Sequence, residues 1–107
     1  MAKEKNSLTG TWHITEMEEW NEDYFNMEVQ AYITIDPHGS GDFQFGLVSG
    51  NIDGKFKKNR LDFSFDAVDE MDEVNGRGWL ELVDDNTING EFHFHQGDDS
   101  TFSAERA

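Results

Sequence analysis

The chain has 107 residues, enough for one hydrophobic core and too few for two. It contains no cysteine, which excludes a disulfide framework, a thiolate metal site and a cysteine nucleophile. Its 23 acidic residues against 8 Lys and Arg give a formal net charge of -15, an average surface that repels nucleic acid and anionic membrane.

A strongly acidic chain can also be a disordered one, but three Trp, two Tyr and nine Phe set at regular alternation are the material of a folded core. Disorder is expected only for residues 1–7, and a single domain for 8–107. The start, Met1 to Asn6, lacks the apolar segment of a secretory signal. No run approaches the ~20 apolar residues of a bilayer span. A cytoplasmic location is the matching expectation.

Leu8 to Ile14 reads as the first strand, with Trp12 and Ile14 inward and Thr11, His13 and Thr15 outward. The segment Glu18–Glu28 places Trp20, Tyr24 and Met27 on one face of a short helix, with Asn21 as its cap and Glu22 and Asp23 in its first turn. From Ala31 the period becomes two. Ile33 and Ile35 point inward, and the stretch from Pro37 through His38 to Gly41 turns the chain. Phe43, Phe45 and Leu47 lead to a two-residue turn at Ser49-Gly50. Ile52, Gly54 and Phe56 follow, then a turn at Lys58-Asn59, then Leu61, Phe63 and Phe65. A longer loop is expected over Val68–Gly76. Beyond it Gly78, Leu80 and Leu82 alternate up to a turn over Asp84–Asn86. Ile88, Gly90, Phe92 and Phe94 lead to a turn over Gln96–Asp98, and Phe102, Ala104 and Arg106 end the pattern.

The sum is an all-β fold, an eight-stranded antiparallel up-and-down barrel with one short helix between the first two strands. The proposed turns set Phe56 opposite Leu61, Lys55 opposite Asp62 as an outward ion pair, Gly78 opposite Phe92 and Leu80 opposite Gly90. Large residues facing glycine suit a narrow barrel, and phenylalanine dominates the inward set, so side chains rather than a ligand should fill it.

Gly10-x-Trp12 at the head of such a meander resembles the lipocalin side of the calycin superfamily. That resemblance implies an arginine over the tryptophan, and Arg106 has the inward parity for it. Gly10 to Ile14 followed by Glu18 to Phe25 also looks like the start of an intracellular fatty-acid-binding protein, and Leu8 to Trp12 like that of the avidin group. These resemblances imply a fold and no particular ligand. The stretches Asp69–Glu73, Gly76–Trp79 and His95–Ser100 resemble an uncharacterised family of small acidic bacterial proteins, which implies no activity.

In an up-and-down barrel Asp66, Asp69, Glu70, Asp72, Glu73, His95, Asp98 and Asp99 should share one mouth with the acidic helix, while Lys57, Lys58 and Arg60 sit at the other end. Clustered carboxylates suit a divalent cation, although the spacing is not that of an EF-hand. His93 and His95 share an outer face at a spacing that can hold Zn²⁺, with Glu91 or His13 as a possible third ligand. No other cofactor is implied, and no phosphate loop or nucleophile elbow appears. Trp79 and Tyr32 have outward parity, which leaves the oligomeric state open. Three functions stay in view: a non-enzymatic binding module whose acidic mouth takes a small molecule, a cation or a protein; an acidic interaction or inhibitor protein that mimics nucleic-acid phosphates for a basic partner; and a metal-dependent enzyme at the histidine strand.

Overall fold

The computed structural model describes residues 8–107, so the expectation for residues 1–7 lies outside the described residues. The alternation closes on itself. Strands β1 (Gly10–Met17), β2 (Tyr32–Ile35), β3 (Ser40–Phe45), β4 (Val48–Lys57), β5 (Arg60–Asp69), β6 (Asp72–Asp84), β7 (Thr87–Phe94) and β8 (Asp99–Arg106) form one closed antiparallel barrel in sequence order, with helix α1 (Glu22–Phe25) between β1 and β2. β8 closes on β1 with Arg106 opposite Trp12 and Ala104 opposite Ile14. An irregularity between Ile14 and Glu16 then shifts the parity, so that Met17 rather than Glu16 points inward.

The inward residues form one core. Trp12, Ile14, Ile33, Ile35, Phe43, Phe45, Leu61, Leu80, Ile88 and Phe92 are at most 1% exposed. At ~1.5–3 kcal/mol per fully buried large apolar side chain, this set decides which face of each strand goes inside. Phe92 is its centre: its ring lies 5.0–5.8 Å from those of Phe102, Phe43, Phe45, Phe65 and Phe63. A Cβ added at Gly90 would come within 2.6 Å of the Phe102 ring, and one at Gly78 within 2.7 Å of Phe63. The phenylalanines therefore occupy the volume those glycines leave, and the interior is packed.

Three local expectations are corrected. The β3–β4 turn is at Gly46-Leu47, not Ser49-Gly50, with Phe45 opposite Val48 and Phe43 opposite Gly50. Gly46 has φ +59, and its open α-carbon lies against the Tyr24 ring, where a Cβ would sit 2.3 Å away. Val48 rather than Leu47 thus takes the buried place. The expected loop at Val68–Gly76 is a tight hairpin instead, turning at Glu70-Met71. The ladder survives the acidic run because Ala67 and Val74 continue the inward alternation beneath it. The helix is a single turn capped by Asn21, whose Oδ1 accepts from the Tyr24 amide at 3.1 Å. One turn cannot carry an i+7 contact, so Phe25 is buried and Met27 is 53% exposed.

Candidate functional site

The helix end of the barrel is shut. Trp20 packs its ring 5.1 Å from Phe45, 6.0 Å from Phe94 and 6.2 Å from Tyr24. The Gly46 amide donates to the Phe25 carbonyl at 2.9 Å, and the Leu47 amide donates to the Tyr24 hydroxyl. At the other end Trp12 donates from Nε1 to the Leu8 carbonyl, and the Arg106 guanidinium lies 4.1 Å over its ring. Arg106 is held there by the carbonyls of Asp85 and Thr9. The arginine expected over Trp12 is in place as a cation–π plug.

With both ends closed, sites must lie on the outside. The acidic residues divide into two groups rather than meeting in one mouth. The β6–β7 register starts at Gly76, opposite Phe94, and the His95 amide still donates to the Asn75 carbonyl at 2.8 Å, so Asp72 to Val74 overrun the end of β7. At ~3.3 Å per residue, Met71 stands about 17 Å along the strand from Gly76. Asp69, Glu70, Asp72 and Glu73 therefore form a hairpin tip, while His95, Asp98 and Asp99 stay with the β7–β8 turn. The tip leans on the β3–β4 turn through the Glu70 amide, which donates to the Leu47 carbonyl at 3.1 Å. None of its four carboxylates forms an ion pair with a described residue, and Met71 at the apex is 94% exposed.

Below this tip, Asp42, Asn51, Asp66 and Asn75 stand side by side on β3 to β6 in one outward row. With Tyr32 and Glu73 they line a groove of about 630 Å³. The Tyr32 hydroxyl donates to Asp42 at 3.0 Å. Burial, helped by that bond and by the carboxylate's charge, pushes the Tyr32 pKa above 10.0.

The histidine strand is arranged otherwise than a zinc site requires. His93 meets Glu91 at 3.3 Å through Nε2 and Asp99 at 3.2 Å through Nδ1, so both ring nitrogens are engaged. His13 lies opposite Glu105, six residues along β8 from Asp99, about 20 Å away. Among the described residues no group of three or more His, Asp or Glu side chains is placed to hold a metal ion. The expected His93/His95 pair thus gains no third ligand among the described residues.

At the other end of β5 the charges are paired. Asp62 takes Arg60 Nε at 3.0 Å and Lys57 Nζ at 3.2 Å. Lys55 faces Asp62 in the ladder as expected, but the carboxylate's ion pairs go to those two neighbours. The Arg60 hydrogen bond, more than the one from Lys57, holds the Asp62 pKa below its usual 3.8 against a smaller opposing effect of burial. Arg60 also lies 4.7 Å over Trp79, whose Nε1 donates to Glu91.

Sequence reasoning missed the Asp42–Asn75 row and the surroundings of Arg77. Parity marks these residues as outward, but only the true register, set by the Gly46-Leu47 turn, aligns them across strands. No helix of the described residues is long and apolar enough to cross a membrane. No family model, curated protein or solved structure matches the chain.

Proposed function

We propose that the protein is a non-enzymatic binding module that presents the acidic, methionine-tipped β5–β6 hairpin to a basic partner protein. One observation carries this reading: Met71 is 94% exposed on a hairpin whose strands pair without a break from Arg60–Glu81 to Asp69–Asp72. A flexible loop would have to be ordered on binding, whereas a strand-held tip loses little conformational freedom. Met adapts to irregular apolar pockets, and the four carboxylates around it steer a basic surface towards it. A partner that encloses Met71 would shield the charges from salt and strengthen them.

The packed interior disfavours the alternative of a small molecule inside the barrel. Kinship with calycin barrels is part of the proposal, supported by Arg106 stacked over Trp12. A cytoplasmic setting is likewise proposed and fits the cysteine-free composition.

The test is site-specific photo-crosslinking in cells with p-benzoylphenylalanine at position 71, compared with position 58 at the opposite tip. The expected result is one adduct of defined mass from position 71 and none from position 58. Asp72→Lys combined with Glu73→Lys should abolish it, and salt at about 0.5 M should weaken it. No adduct at 71, or equal adducts from both tips, would overturn the reading.

A further inference from the structure

On the outer face of β6, Arg77 is flanked by Asn75 and Trp79 along its own strand and by Ser64 and His93 across the ladder. The other two described arginines are engaged, Arg60 with Asp62 and Trp79, and Arg106 with Trp12 and backbone carbonyls. The Arg77 side chain makes no ion pair or hydrogen bond with any described residue, although the chain carries 23 acidic residues. The carboxylates nearest to it in the ladder are committed elsewhere. Asp62 holds Arg60 and Lys57, while Glu91 holds Trp79 and His93 through one oxygen, Oε1. Asp66, diagonal to Arg77, lines the acidic groove on the other side of Asn75.

Two depressions share Arg77 in their lining. One, of about 500 Å³, is bounded by Ser64, Asn75, Arg77, His93, His95 and Gln96. Its lining holds no carboxylate, unlike that of four other depressions on the outer surface. The other, of about 330 Å³, lies between Arg77, Arg60 and Trp79, with Asp62 at its edge. Both volumes fall within the ~300–1,000 Å³ of small-ligand sites. A planar five-donor fork with no partner among the described residues, ringed by polar side chains and an indole, is complementary to an oxyanion attached to a small flat body.

We propose that Arg77 is the centre of a binding site for a small oxyanion-bearing ligand, either a carboxylate or a phosphate. The guanidinium takes the oxyanion, Asn75 and His95 supply further donors on one side, and the Ser64 hydroxyl joins them on turning from its long 3.4 Å bond to the Asp53 carbonyl. Trp79 supplies an apolar wall on the other. The surrounding negative field excludes polyanions, so a ligand of low charge is selected. This site is separate from the Met71 tip and stands or falls independently of it.

The test is an amide-resolved NMR titration of the intact protein with inorganic phosphate and, separately, with benzoate, at neutral pH and constant ionic strength. Saturable shifts are expected at Ser64, Asn75, Arg77 and Gly78. R77Q should weaken binding at least about 10-fold, with R77K intermediate because it keeps the charge and loses the fork. K58Q, remote and unpaired, should bind as wild type. Saturation with benzoate alone, together with a shifted Trp79 indole, would identify a carboxylate ligand. Saturation with phosphate alone, together with a shifted His95, would identify a phosphate. Shifts that rise linearly with either anion, or that are unchanged in R77Q, overturn the proposal.

Discussion

β5 has two ends that use the same backbone device and opposite chemistry. At one end the chain turns through Lys58-Asn59, at the other through Glu70-Met71, and the first residue of each pair has positive φ, 52 and 59. At the basic end Lys57 and Arg60 share Asp62, and Arg60 also reaches Glu81 at 3.9 Å, so these two charges are met within the hairpin and only Lys58 at its apex is left over. At the acidic end Asp69 stands opposite Asp72, an arrangement that destabilises a ladder. Exposed ion pairs contribute little to stability, so the contrast is less about holding the fold than about what each end leaves for something else to satisfy. The basic tip is largely self-contained. The acidic tip has charge and an apolar apex that no described residue covers.

Both tips rest on one floor, and breaking it should erase the contrast. Phe92→Ala removes the ring at the centre of the core, between the Phe63 that underlies the basic half of β5 and the Phe65 that underlies the acidic half. The expected loss is about 3–5 kcal/mol, read from urea unfolding. Amide exchange should accelerate at both tips together. If only one tip lost protection, the two ends would be separate cooperative units and the comparison would no longer concern a single frame.

A smaller effect separates the ends. Asp62→Asn removes the carboxylate that pairs Lys57 and Arg60 and should cost less than about 1 kcal/mol, since all three side chains are substantially exposed. Asp72→Asn should cost nothing or stabilise slightly, because it relieves the opposition to Asp69. The pH dependence adds a sign. The folded pKa of Asp62 is depressed below 3.8, so its contribution is present above that value and is lost as pH falls through the folded pKa. Urea midpoints followed downward from pH 3.8 should therefore fall less in Asp62→Asn than in wild type, and identical acid limbs would show that the pairing is not felt by the fold.

The basic tip was legible in the sequence and the acidic one was not, for a physical reason. Around Lys58-Asn59 the alternation on both sides and the turn residues agree, which fixes Phe56 opposite Leu61. Around Asp69–Glu73 composition reads as a loop, while a single inward pair, Ala67 and Val74, is what keeps the ladder going. The Ser49-Gly50 turn failed differently. Gly50 is required inside β4, where a Cβ would meet Asp66 and Ala67 at 2.2–2.6 Å, and the turn at Gly46 is selected by Tyr24 arriving from the helix. That contact is remote in sequence, so no local pattern announces it. Both assignments keep Phe45, Ile52 and Phe56 on the inner face, so most of the core was read from a wrong register, with Leu47 in place of Val48. The outward rows, and with them the Asp42–Asn75 groove, could not be read that way.

The two positive-φ positions give the finest comparison. A non-glycine residue in the left-handed region costs about 1–2 kcal/mol, and glycine's extra chain entropy returns about 0.5–1 kcal/mol of that. Lys58→Gly and Glu70→Gly should therefore each stabilise by about 0.5 kcal/mol through the backbone. The side chains then act in opposite senses. Glu70→Gly also removes one of four crowded negative charges, whereas Lys58→Gly removes a cation from a protein of net charge -15. At low ionic strength the Glu70 variant should gain more, and at about 1 M salt, where the screening length is ~3 Å, the two gains should converge. A gap that persists in salt would mean that the tips differ in backbone strain rather than in charge. No gap at low salt would mean that the acidic tip is not under the repulsion that leaves it in need of a partner.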